Sequence, residues 1–416
     1  MAANMPVDDD ITVSGLYVYP VKSCRGIRVK SAAVSELGLE LDRFWIISSP
    51  DRQQVTQRGI SKMSMILPRL EIGEGEDCVV AEALTSPPGK DGNDIPPSAL
   101  PSIPSDAYGR GGRLILNAPN MPPLVIPFRP RAELTKNSGE SRITVWTWDV
   151  AGVDEGEEAA AWLQDFLGVP ARLWVKANTV RDLPVNHTPA RALFSHEPQT
   201  AFADVFPFLM LSEASVADIE SRIKQRNAEI YKDNPITHVS VINFRPNIVI
   251  SSPQMKPWAE DDFLQISINH THDMYIASRC TRCVMPTNNP FTGIFHKNEP
   301  TATLMTFRRV DAGAKYKACV GMNVVAATHG WTLSVGDTLQ VRSQQAGIHH
   351  QDGIWNGKDV PDPVIKRDAN GDEAPPPPSP SPKQPTAFTV IWVASAVMAI
   401  ILPPLFAQWV EHYDVI

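Results

Sequence analysis

Two cysteines separated by two residues form the segment of this chain whose side chains offer the most chemistry. Cys280-Thr281-Arg282-Cys283 places two thiols beside a guanidinium, so a thiolate could bind a metal and the arginine could bind an anion. The remaining cysteines, Cys24, Cys78 and Cys319, stand alone. A zinc site needs further ligands at short spacing, and a redox pair needs a strand before it and a helix after it. A metal ligand, a redox pair and two inert buried thiols therefore all remain open.

Three further segments carry cationic side chains at the ends of predicted strands. Lys22 lies in a turn beside a hydroxyl residue, Arg43 precedes an apolar run, and a proline follows Arg245. The proline predicts an extended backbone at Arg245. Lysine and arginine near a hydroxyl and the amide of Asn247 suit a phosphate-bearing ligand. For each cation taken alone, a solvated strand end is the simpler interpretation.

The elements that must position these side chains are predicted to be mostly strands. Apolar or alternating runs predict strands at 16–19, 44–47, 114–116, 238–241, 247–250, 263–268 and 338–341. One amphipathic helix is predicted over 154–167 and a second over 213–226, the latter capped by Ser212. Strands with a few scattered helices favour a β-rich α+β protein with two barrel-like domains over a parallel βαβ array.

Composition limits the classes of function. The chain has 416 residues, a net charge of −8 and a pI near 5.7, with no basic stripe, so we expect no nucleic-acid partner. Few, unevenly spaced cysteines indicate a reducing compartment. We predict six segments: a flexible N-terminus at 1–10, a β-barrel-like domain at 11–150 with a disordered surface insertion at 82–112, a connecting helix and linker at 151–195, a second barrel domain at 196–345, a proline-rich linker at 346–385 and an anchor at 386–410.

The C-terminal segment has the composition of a membrane anchor. Residues 384–410 contain no charged side chain, and about 20 apolar residues suffice to span a bilayer. Trp392 and Trp409 lie near its ends, where indoles favour the membrane interface. Basic residues precede the run and acidic ones follow it, which predicts that the body faces the cytosol. The sequence thus predicts a C-terminal transmembrane helix, with either the mitochondrial outer membrane or the endoplasmic reticulum as its location.

Five short motifs together resemble one family. The chain is similar to the MOSC-domain proteins, and most closely to the mitochondrial amidoxime-reducing components, over about residues 11–341. The resemblance rests on the order and spacing of Val21-Lys22-Ser23-Cys24-Arg25-Gly26, Asp42-Arg43-Phe44-Trp45, Leu211-Ser212-Glu213-Ala214-Ser215, Asn243-Phe244-Arg245-Pro246-Asn247-Ile248-Val249-Ile250 and Cys280-Thr281-Arg282-Cys283.

The resemblance implies a fold, a cofactor and a set of site residues. The implied fold is a MOSC β-barrel preceded by an N-terminal MOSC-type β-barrel domain. The implied cofactor is molybdenum bound to a pyranopterin, with Cys283 as the metal ligand, Cys280 as its neighbour and Asp204 as an acid at the pocket rim. The residues that match cofactor-binding positions are Lys22, Ser23, Arg43, Arg245, Asn247, Thr281 and Arg282. The family commonly has two hydroxyl residues after that acid, whereas this chain has Val205-Phe206.

The implied activity is reduction of small N-hydroxylated substrates such as amidoximes and hydroxylamines. No ferredoxin-type cysteine cluster and no GxGxxG turn after a strand is evident, so electrons must come from outside. The resemblance implies cytochrome b5 and NADH-cytochrome b5 reductase as the donors. Two other functions remain open: a molybdenum-cofactor-binding or sulfur-carrier protein without turnover of its own, and a membrane-anchored scaffold without activity.

Overall fold

The computed structural model describes residues 11–86, 95–136, 141–184, 187–230 and 239–345, and most of its elements are strands. The strands are β1 Thr12–Val18, β2 Ile27–Val29, β3 Ser31–Ser35, β4 Gly38–Leu39, β5 Trp45–Ser48, β6 Leu67–Ile72, β7 Val79–Glu82, β8 Ser102–Ile103, β9 Gly112–Asn117, β10 Leu124–Pro127, β11 Arg142–Val145, β12 Trp148–Asp154, β13 Arg172–Lys176, β14 Arg181–Asp182, β15 Gln199–Thr200, β16 Phe208–Ser212, β17 Ile248–Ser251, β18 Phe263–Ile268, β19 His272–Thr281, β20 Cys319–Ala326, β21 Trp331–Ser334 and β22 Leu339–Gln344. The helices are α1 Arg131–Lys136, α2 Glu157–Leu167, α3 Glu213–Ile230 and α4 Thr301–Phe307. The prediction of a β-rich α+β protein is therefore confirmed.

The predicted terminal segments 1–10, 346–385 and 386–410 lie outside the described residues, so the anchor remains a prediction. Among the residues that are described, no helix is both long and apolar enough to cross a membrane.

The largest sheet has eight strands in the order β2-β1-β17-β16-β20-β19-β18-β22. Its strands pair antiparallel except β16 and β17, which are parallel and are joined in sequence through α3. The apolar side chains of these strands form the main core because alternate residues of each strand point to the same face. The long strand β19 ends at Thr281, directly before Arg282 and Cys283, and so delivers the cysteine segment to one end of the sheet.

Early and late parts of the sequence are interleaved in the sheets. Strands β1 and β2, from the predicted segment 11–150, extend the sheet whose other strands come from 196–345. Conversely, β21 from the late part of the chain pairs with β3 from the early part, with Leu333 opposite Ala32. Two four-stranded sheets, β10-β9-β6-β7 and β11-β12-β13-β5, complete the early half. Residues near the chain start and near residue 250 are thereby held side by side, which matters for the site.

The two amphipathic helices form where their apolar spacing predicts. Helix α2 buries Ala159, Trp162, Leu163 and Phe166, and it ends at Gly168 in the left-handed conformation. It begins three residues later than predicted because Asp154 still pairs with Trp174 in the β12–β13 ladder. Helix α3 runs four residues longer than predicted, to Ile230. The predicted cap at Ser212 is confirmed, since its hydroxyl accepts a hydrogen bond from the N–H of Ser215 at 3.1 Å.

The predicted strand at 238–241 is wrong over its described residues. Val241–Phe244 forms a 3-10 helix instead, and Ser240 caps it. The side chain of Asn243 accepts a hydrogen bond from the N–H of Ser240 at 3.1 Å, which closes a capping box. The apolar run of this segment was short, and such runs do not distinguish a strand from a buried turn by periodicity.

The predicted disordered insertion at 82–112 is also wrong in its second half. Residues 87–94 lie outside the described residues, but β8 pairs with β3, and Ile103 and Tyr108 are buried. The ring of Tyr108 stacks on Phe128 at 4.7 Å and contacts Phe44 at the same centroid distance. Burial of these apolar side chains outweighs the loop-forming tendency of the surrounding prolines and glycines.

Candidate functional site

Lys22 lies in the turn that follows β1, and its side chain is buried. Its backbone N–H donates to the carbonyl of Trp45 at 2.8 Å, which fixes the turn against β5. Its ammonium donates to the carbonyl of Phe202 at 2.7 Å and to Asp204 at 2.6 Å. The neighbouring Ser23 has a left-handed backbone, and Gln57 donates to its carbonyl at 2.6 Å. Hydrogen bonds to Trp45, to the Phe202–Asp204 segment and from Gln57 thus hold the turn in place.

The ion pair between Lys22 and Asp204 is asymmetric. The Lys22 side chain is 5% exposed and the Asp204 side chain 60% exposed. Burial lowers the pKa of Lys22 to about 8, against the opposing effect of Asp204. Partial removal from water acts to raise the pKa of Asp204, but the adjacent ammonium outweighs this effect and holds that pKa below its usual range. Asp204 is therefore ionised at neutral pH, and its outer side faces solvent.

Two arginines lie on the ring of Tyr19. The guanidinium of Arg43 is 4.5 Å from the ring centroid and that of Arg245 is 4.3 Å away. The negative face of an aromatic ring attracts cations, so the ring brings two like charges close together. The Tyr19 hydroxyl is buried and makes no hydrogen bond within the described part of the chain. Burial raises the pKa of this phenol. Sequence analysis did not identify Tyr19 as a site residue.

The backbone of Arg245 differs from the predicted extended conformation. Its φ and ψ are 56° and 47°, which is left-handed, because Arg245 ends the 3-10 helix Val241–Phe244. Its N–H closes that helix on the carbonyl of Ile242. The proline that follows disfavours right-handed helix at this position, so left-handed and extended backbone both remained available. The turn directs the guanidinium to the carbonyl of Cys24 at 2.7 Å, beside Lys22.

Asn247 connects the strands behind the arginines. Its side-chain oxygen accepts hydrogen bonds from Arg43 at 3.1 Å and from the N–H of Leu209 at 3.2 Å. Its amide nitrogen donates to the carbonyl of Tyr17 at 3.2 Å. Arg43 also pairs with Asp42 at 2.5 Å; burial opposes the charge, but this carboxylate raises the pKa of Arg43. Asn247 is buried and positions Arg43 from behind.

The guanidinium of Arg282 forms hydrogen bonds to backbone carbonyls. The guanidinium donates to Val320 at 2.6 and 2.9 Å and to Phe244 at 3.0 Å. These bonds tie the cysteine segment to β20 and to the turn that carries Arg245. The guanidinium of Arg282 thereby holds two site segments together, and the prediction that Arg282 binds the cofactor stays a prediction. Thr281, the last residue of β19, is half-buried and pairs with Cys319.

The two motif cysteines differ in exposure. Cys283 is exposed, and the N–H of Met285 donates to its sulfur at 3.5 Å. Cys280 is half-buried, and burial raises the pKa of its thiol. Cys280 lies at the end of β19 and Cys283 just after it, and the pair precedes the 3-10 turn Met285–Thr287 in place of an α-helix, which disfavours a thioredoxin-type redox pair. In the described ranges, no three His, Cys, Asp or Glu side chains are grouped so as to hold a metal ion.

These segments enclose one cleft, which we call the cationic cleft. It is lined by Lys22, Ser23, Arg43, Thr56, Arg58, Asp204, Arg245 and Met285. The structure thus brings together five of the predicted site residues, and it places Asn247, Thr281, Arg282 and Cys283 outside this lining. Met285 links the cleft to Cys283 through its hydrogen bond to the sulfur. Thr56, Arg58 and Met285 were missed, since no motif marks the turn of the first two.

The residues present fit an anionic, phosphate-bearing group beside a thiol. Four cations and one carboxylate line the cleft, so its walls favour negative charge. Arginines and a lysine supply charge-assisted donors, the strongest hydrogen bonds to phosphate. The exposed thiol of Cys283 at the cleft edge is available to a metal carried by such a group. The arrangement is compatible with a pyranopterin-bound molybdenum.

The departure at Val205-Phe206 replaces polar side chains by apolar packing. Phe206 is buried in a cluster with Leu183, Phe194 and Tyr275, and Val205 packs against the same cluster. The pocket wall after Asp204 therefore carries no hydroxyl at these two positions. Asp204 is therefore the polar side chain at this part of the cleft rim.

Two family models match this chain. The profile described as the MOSC N-terminal beta barrel domain matches residues 10–91 and 100–170, and the profile of the MOSC domain matches residues 197–340. The motif residues that line the cationic cleft come from both matched regions.

Three relatives illustrate how much of the chain is similar. The chain is 30% identical to mitochondrial amidoxime-reducing component 1 of Xenopus laevis over 310 residues, 73% of each chain. It is 29% identical to component 1 of Mus musculus over 80% of this chain and 83% of the relative. It is 29% identical to component 2 of Bos taurus over 79% of this chain and 82% of the relative.

Proposed function

Because this chain belongs to the MOSC-domain family of the mitochondrial amidoxime-reducing components, we propose that it is a molybdenum-cofactor-dependent reductase of N-hydroxylated compounds. The MOSC domain is a molybdenum-cofactor-binding type, and the family supports a function related to that cofactor. Reduction of an N-hydroxyl group consumes two electrons and two protons, breaks the N–O bond and releases the amine or amidine with water. The bound cofactor would supply the two-electron chemistry.

The observation that carries this proposal is the convergence of four cations beside an exposed thiol. Lys22, Arg43, Arg58 and Arg245 would hold the phosphate and pterin, with Ser23 in the same turn. Cys283 would bind the metal, while Cys280 would remain a neighbour. Asn247 and Arg282 would position these residues through the hydrogen bonds they make to Arg43 and to the carbonyl of Phe244. Thr281, the last residue of β19, would fix the cysteine segment through its pairing with Cys319 of β20.

Asp204 has a different role from the cations. Its carboxylate stays ionised because Lys22 lowers its pKa, and its outer side is exposed at the cleft rim. An ionised carboxylate accepts hydrogen bonds, so Asp204 would accept the N–H or O–H donors of an amidoxime and orient its N–O bond toward the thiol side. The apolar Val205 and Phe206 add no competing acceptor on this wall.

Electron supply and location are extensions of the same proposal. We propose that cytochrome b5 and NADH-cytochrome b5 reductase supply the electrons one at a time. We further propose that residues 386–410 anchor the protein in a membrane, and that this membrane is mitochondrial, as the relatives' names state for those proteins. A shared membrane surface would raise the effective concentration of the donors.

Metal analysis combined with turnover tests the proposal. The purified full-length protein should contain molybdenum, and it should reduce benzamidoxime to benzamidine when cytochrome b5, its reductase and NADH are supplied. Molybdenum without turnover would replace the reductase by a cofactor carrier. Absence of molybdenum after expression in a host that makes the cofactor would overturn the cofactor proposal and leave a scaffold.

A further inference from the structure

Arg58 differs from the other cations of the cationic cleft in how its donors are used. Lys22, Arg43 and Arg245 each donate hydrogen bonds to other parts of the protein. The half-buried guanidinium of Arg58 makes no hydrogen bond or ion pair with any residue that the structure describes. Arginine carries its N–H donors in a planar fork that matches the oxygens of a phosphate. The donors of Arg58 are therefore available to a ligand in the cleft, which this side chain lines.

The indole of Trp146 holds this guanidinium in place. The central carbon of the Arg58 guanidinium lies 4.0 Å from the centroid of the Trp146 ring. A cation over an indole face is attracted by the ring, and this attraction uses none of its N–H groups as hydrogen-bond donors. Trp146 thus fixes Arg58 and leaves the donors to a ligand.

The backbone of Trp146 is strained. This residue lies in the turn that joins β11 and β12, since Val145 pairs with Trp148. Its φ is 60°, which is left-handed and uncommon for a bulky residue. Strain of this kind persists where the surrounding structure holds the residue, and it occurs most often at functional positions. The Trp146 side chain also packs against the buried cluster that contains Phe202, whose carbonyl accepts the Lys22 ammonium.

Hydrogen bonds tie this hairpin to the segment 52–58. Thr144 of β11 donates its N–H to the carbonyl of Arg52 at 2.9 Å, and its own carbonyl accepts from the N–H of Gln54 at 3.1 Å. Gln57 of the same segment donates to a carbonyl in the turn after β1 at 2.6 Å. The segment is therefore fixed between the hairpin and that turn, and the indole has a defined position relative to the cleft wall.

We propose that Arg58 binds an oxyanion of the ligand in the cationic cleft directly, and that Trp146 is the positioning residue that holds its guanidinium for this contact. The identity of the oxyanion as the phosphate of the molybdenum cofactor rests on the proposed function, whereas the binding of an oxyanion does not. Neither residue lies in a motif that carries the family resemblance. Because Trp146 acts through Arg58, its removal should matter only while the guanidinium is present.

A double-mutant cycle on the full-length, cofactor-free protein tests this dependence, with inorganic pyrophosphate as the probe and calorimetry as the measurement. Arg58→Ala should weaken pyrophosphate binding about ten- to a hundredfold. Trp146→Leu should weaken it about three- to tenfold, because the guanidinium loses its aromatic support. In the Arg58→Ala background, the same Trp146→Leu change should have a further effect of less than about twofold.

Two conservative variants separate geometry from charge, and they keep the proposal testable if Trp146→Leu does not fold. Trp146→Phe keeps an aromatic face, so the affinity for pyrophosphate should stay within about threefold of the unsubstituted protein. Arg58→Lys keeps the charge but not the planar fork, so the affinity should fall about three- to tenfold. Equal loss in Trp146→Phe and Trp146→Leu would contradict the role of the ring.

Trp148 provides a matched control on the same hairpin. Its ring centroid lies 4.9 Å from the guanidinium of Arg181, which donates to the carbonyls of Ala201 and Asp204 at 3.1 and 2.6 Å. Trp148→Leu removes an indole and a cation–π contact from the hairpin but leaves the support of Arg58 in place. Pyrophosphate affinity should therefore change by less than about twofold.

Two results would overturn the direct contact: full pyrophosphate affinity in Arg58→Ala, or no saturable pyrophosphate binding in the unsubstituted protein. An effect of Trp146→Leu that is equally large in both backgrounds would show that Trp146 acts on the fold and not through Arg58.

Molybdenum content after expression of the same variants separates this outcome from that of the proposed function. Pyrophosphate binding that depends on Arg58, in a protein that never contains molybdenum, would overturn the cofactor proposal and leave the oxyanion site. Normal molybdenum content with full pyrophosphate affinity in Arg58→Ala would do the reverse.

Discussion

The cationic cleft adjoins a second cleft at consecutive residues of the chain, yet the two walls carry mainly opposite charge. The second cleft is lined by Lys176 and by residues of the segments 33–44, 105–106, 200–203 and 329–330, and we call it the acidic cleft. Four cations and one carboxylate line the first, and four carboxylates and one ammonium line the second. Asp42 and Arg43 are neighbours in sequence but belong to different clefts, and so are Ala203 and Asp204. Single peptide bonds therefore separate a wall rich in cations from a wall rich in carboxylates.

Backbone geometry explains how neighbouring residues serve different clefts. Leu41 and Arg43 both have left-handed backbone, with φ of 61° and 47°. Such turns rotate successive side chains to opposite sides, and non-glycine residues adopt them at some energetic cost. The Asp42 carboxylate accepts a hydrogen bond from the N–H of Tyr19 at 2.8 Å and pairs with Arg43, which stabilises the strained segment.

Removal of Cys283 should separate the clefts most sharply. Cys283→Ser replaces a soft thiolate by a hydroxyl, so N-reduction should fall by more than about a hundredfold and molybdenum–sulfur coordination should be lost. Turnover and molybdenum content on the same preparation measure both.

The matched control is Cys280→Ser, which removes the neighbouring, half-buried sulfur. It should keep molybdenum and a large share of activity, because one thiolate suffices for the ligand. Equal loss in both variants would contradict the ligand assignment and favour a site that needs both sulfurs.

Removal of one guanidinium should weaken anion binding and leave the acidic cleft intact. Arg245→Ala deletes a buried cation of the cationic cleft, and a charge-assisted hydrogen bond contributes roughly 1.5–3 kcal/mol, so affinity for inorganic pyrophosphate in the cofactor-free protein should fall about ten- to a hundredfold. Molybdenum content after expression should fall as well. The exposed Arg309→Ala is the control and should bind normally. Unchanged affinity in Arg245→Ala would show that the anion does not lie in this cleft.

Sequence could identify the parts of the site that short motifs carry. Lys22, Arg43 and Arg245 lie in such motifs, and the structure brings them to one cleft although the last two are 202 residues apart along the chain. Helices α2 and α3 were predictable because their apolar residues recur at helical spacing.

Other features depend on tertiary contacts that no local pattern encodes. Arg58 lines the cationic cleft, although it lies in a turn that no sequence motif marks. Its guanidinium lies 4.0 Å from the centroid of the Trp146 ring. Tyr108 is buried because Phe128 and Phe44 surround it, although its sequence neighbours resemble a loop. The left-handed backbone of Arg245 follows from the 3-10 helix before it, of which only the first residue, Val241, lies in the predicted strand 238–241. The acidic cleft was not predicted, since its carboxylates come from distant segments.

Substitution of Tyr19 should show how the two arginines are kept together. Tyr19→Leu removes both cation–π contacts, each worth about 0.5–2 kcal/mol, so pyrophosphate affinity should fall about tenfold. Tyr19→Phe keeps the ring and removes a buried hydroxyl without a hydrogen bond, so affinity should be retained and thermal stability should be equal or higher. Equal loss in Leu and Phe variants would contradict the role of the ring.

The smallest expected effect is a pH dependence that the two clefts do not share. Burial lowers the pKa of Lys22 to about 8, so its ammonium loses charge as the pH rises through that value, and pyrophosphate affinity of the cofactor-free protein should fall a few-fold. Stability should move in the opposite direction: above pH 8 and below the lysine's unfolded value the unfolded chain binds more protons, so the free energy of unfolding rises with pH. Lys22→Met should remove both trends. A pH-dependent affinity that persists in Lys22→Met would assign the titration to another group.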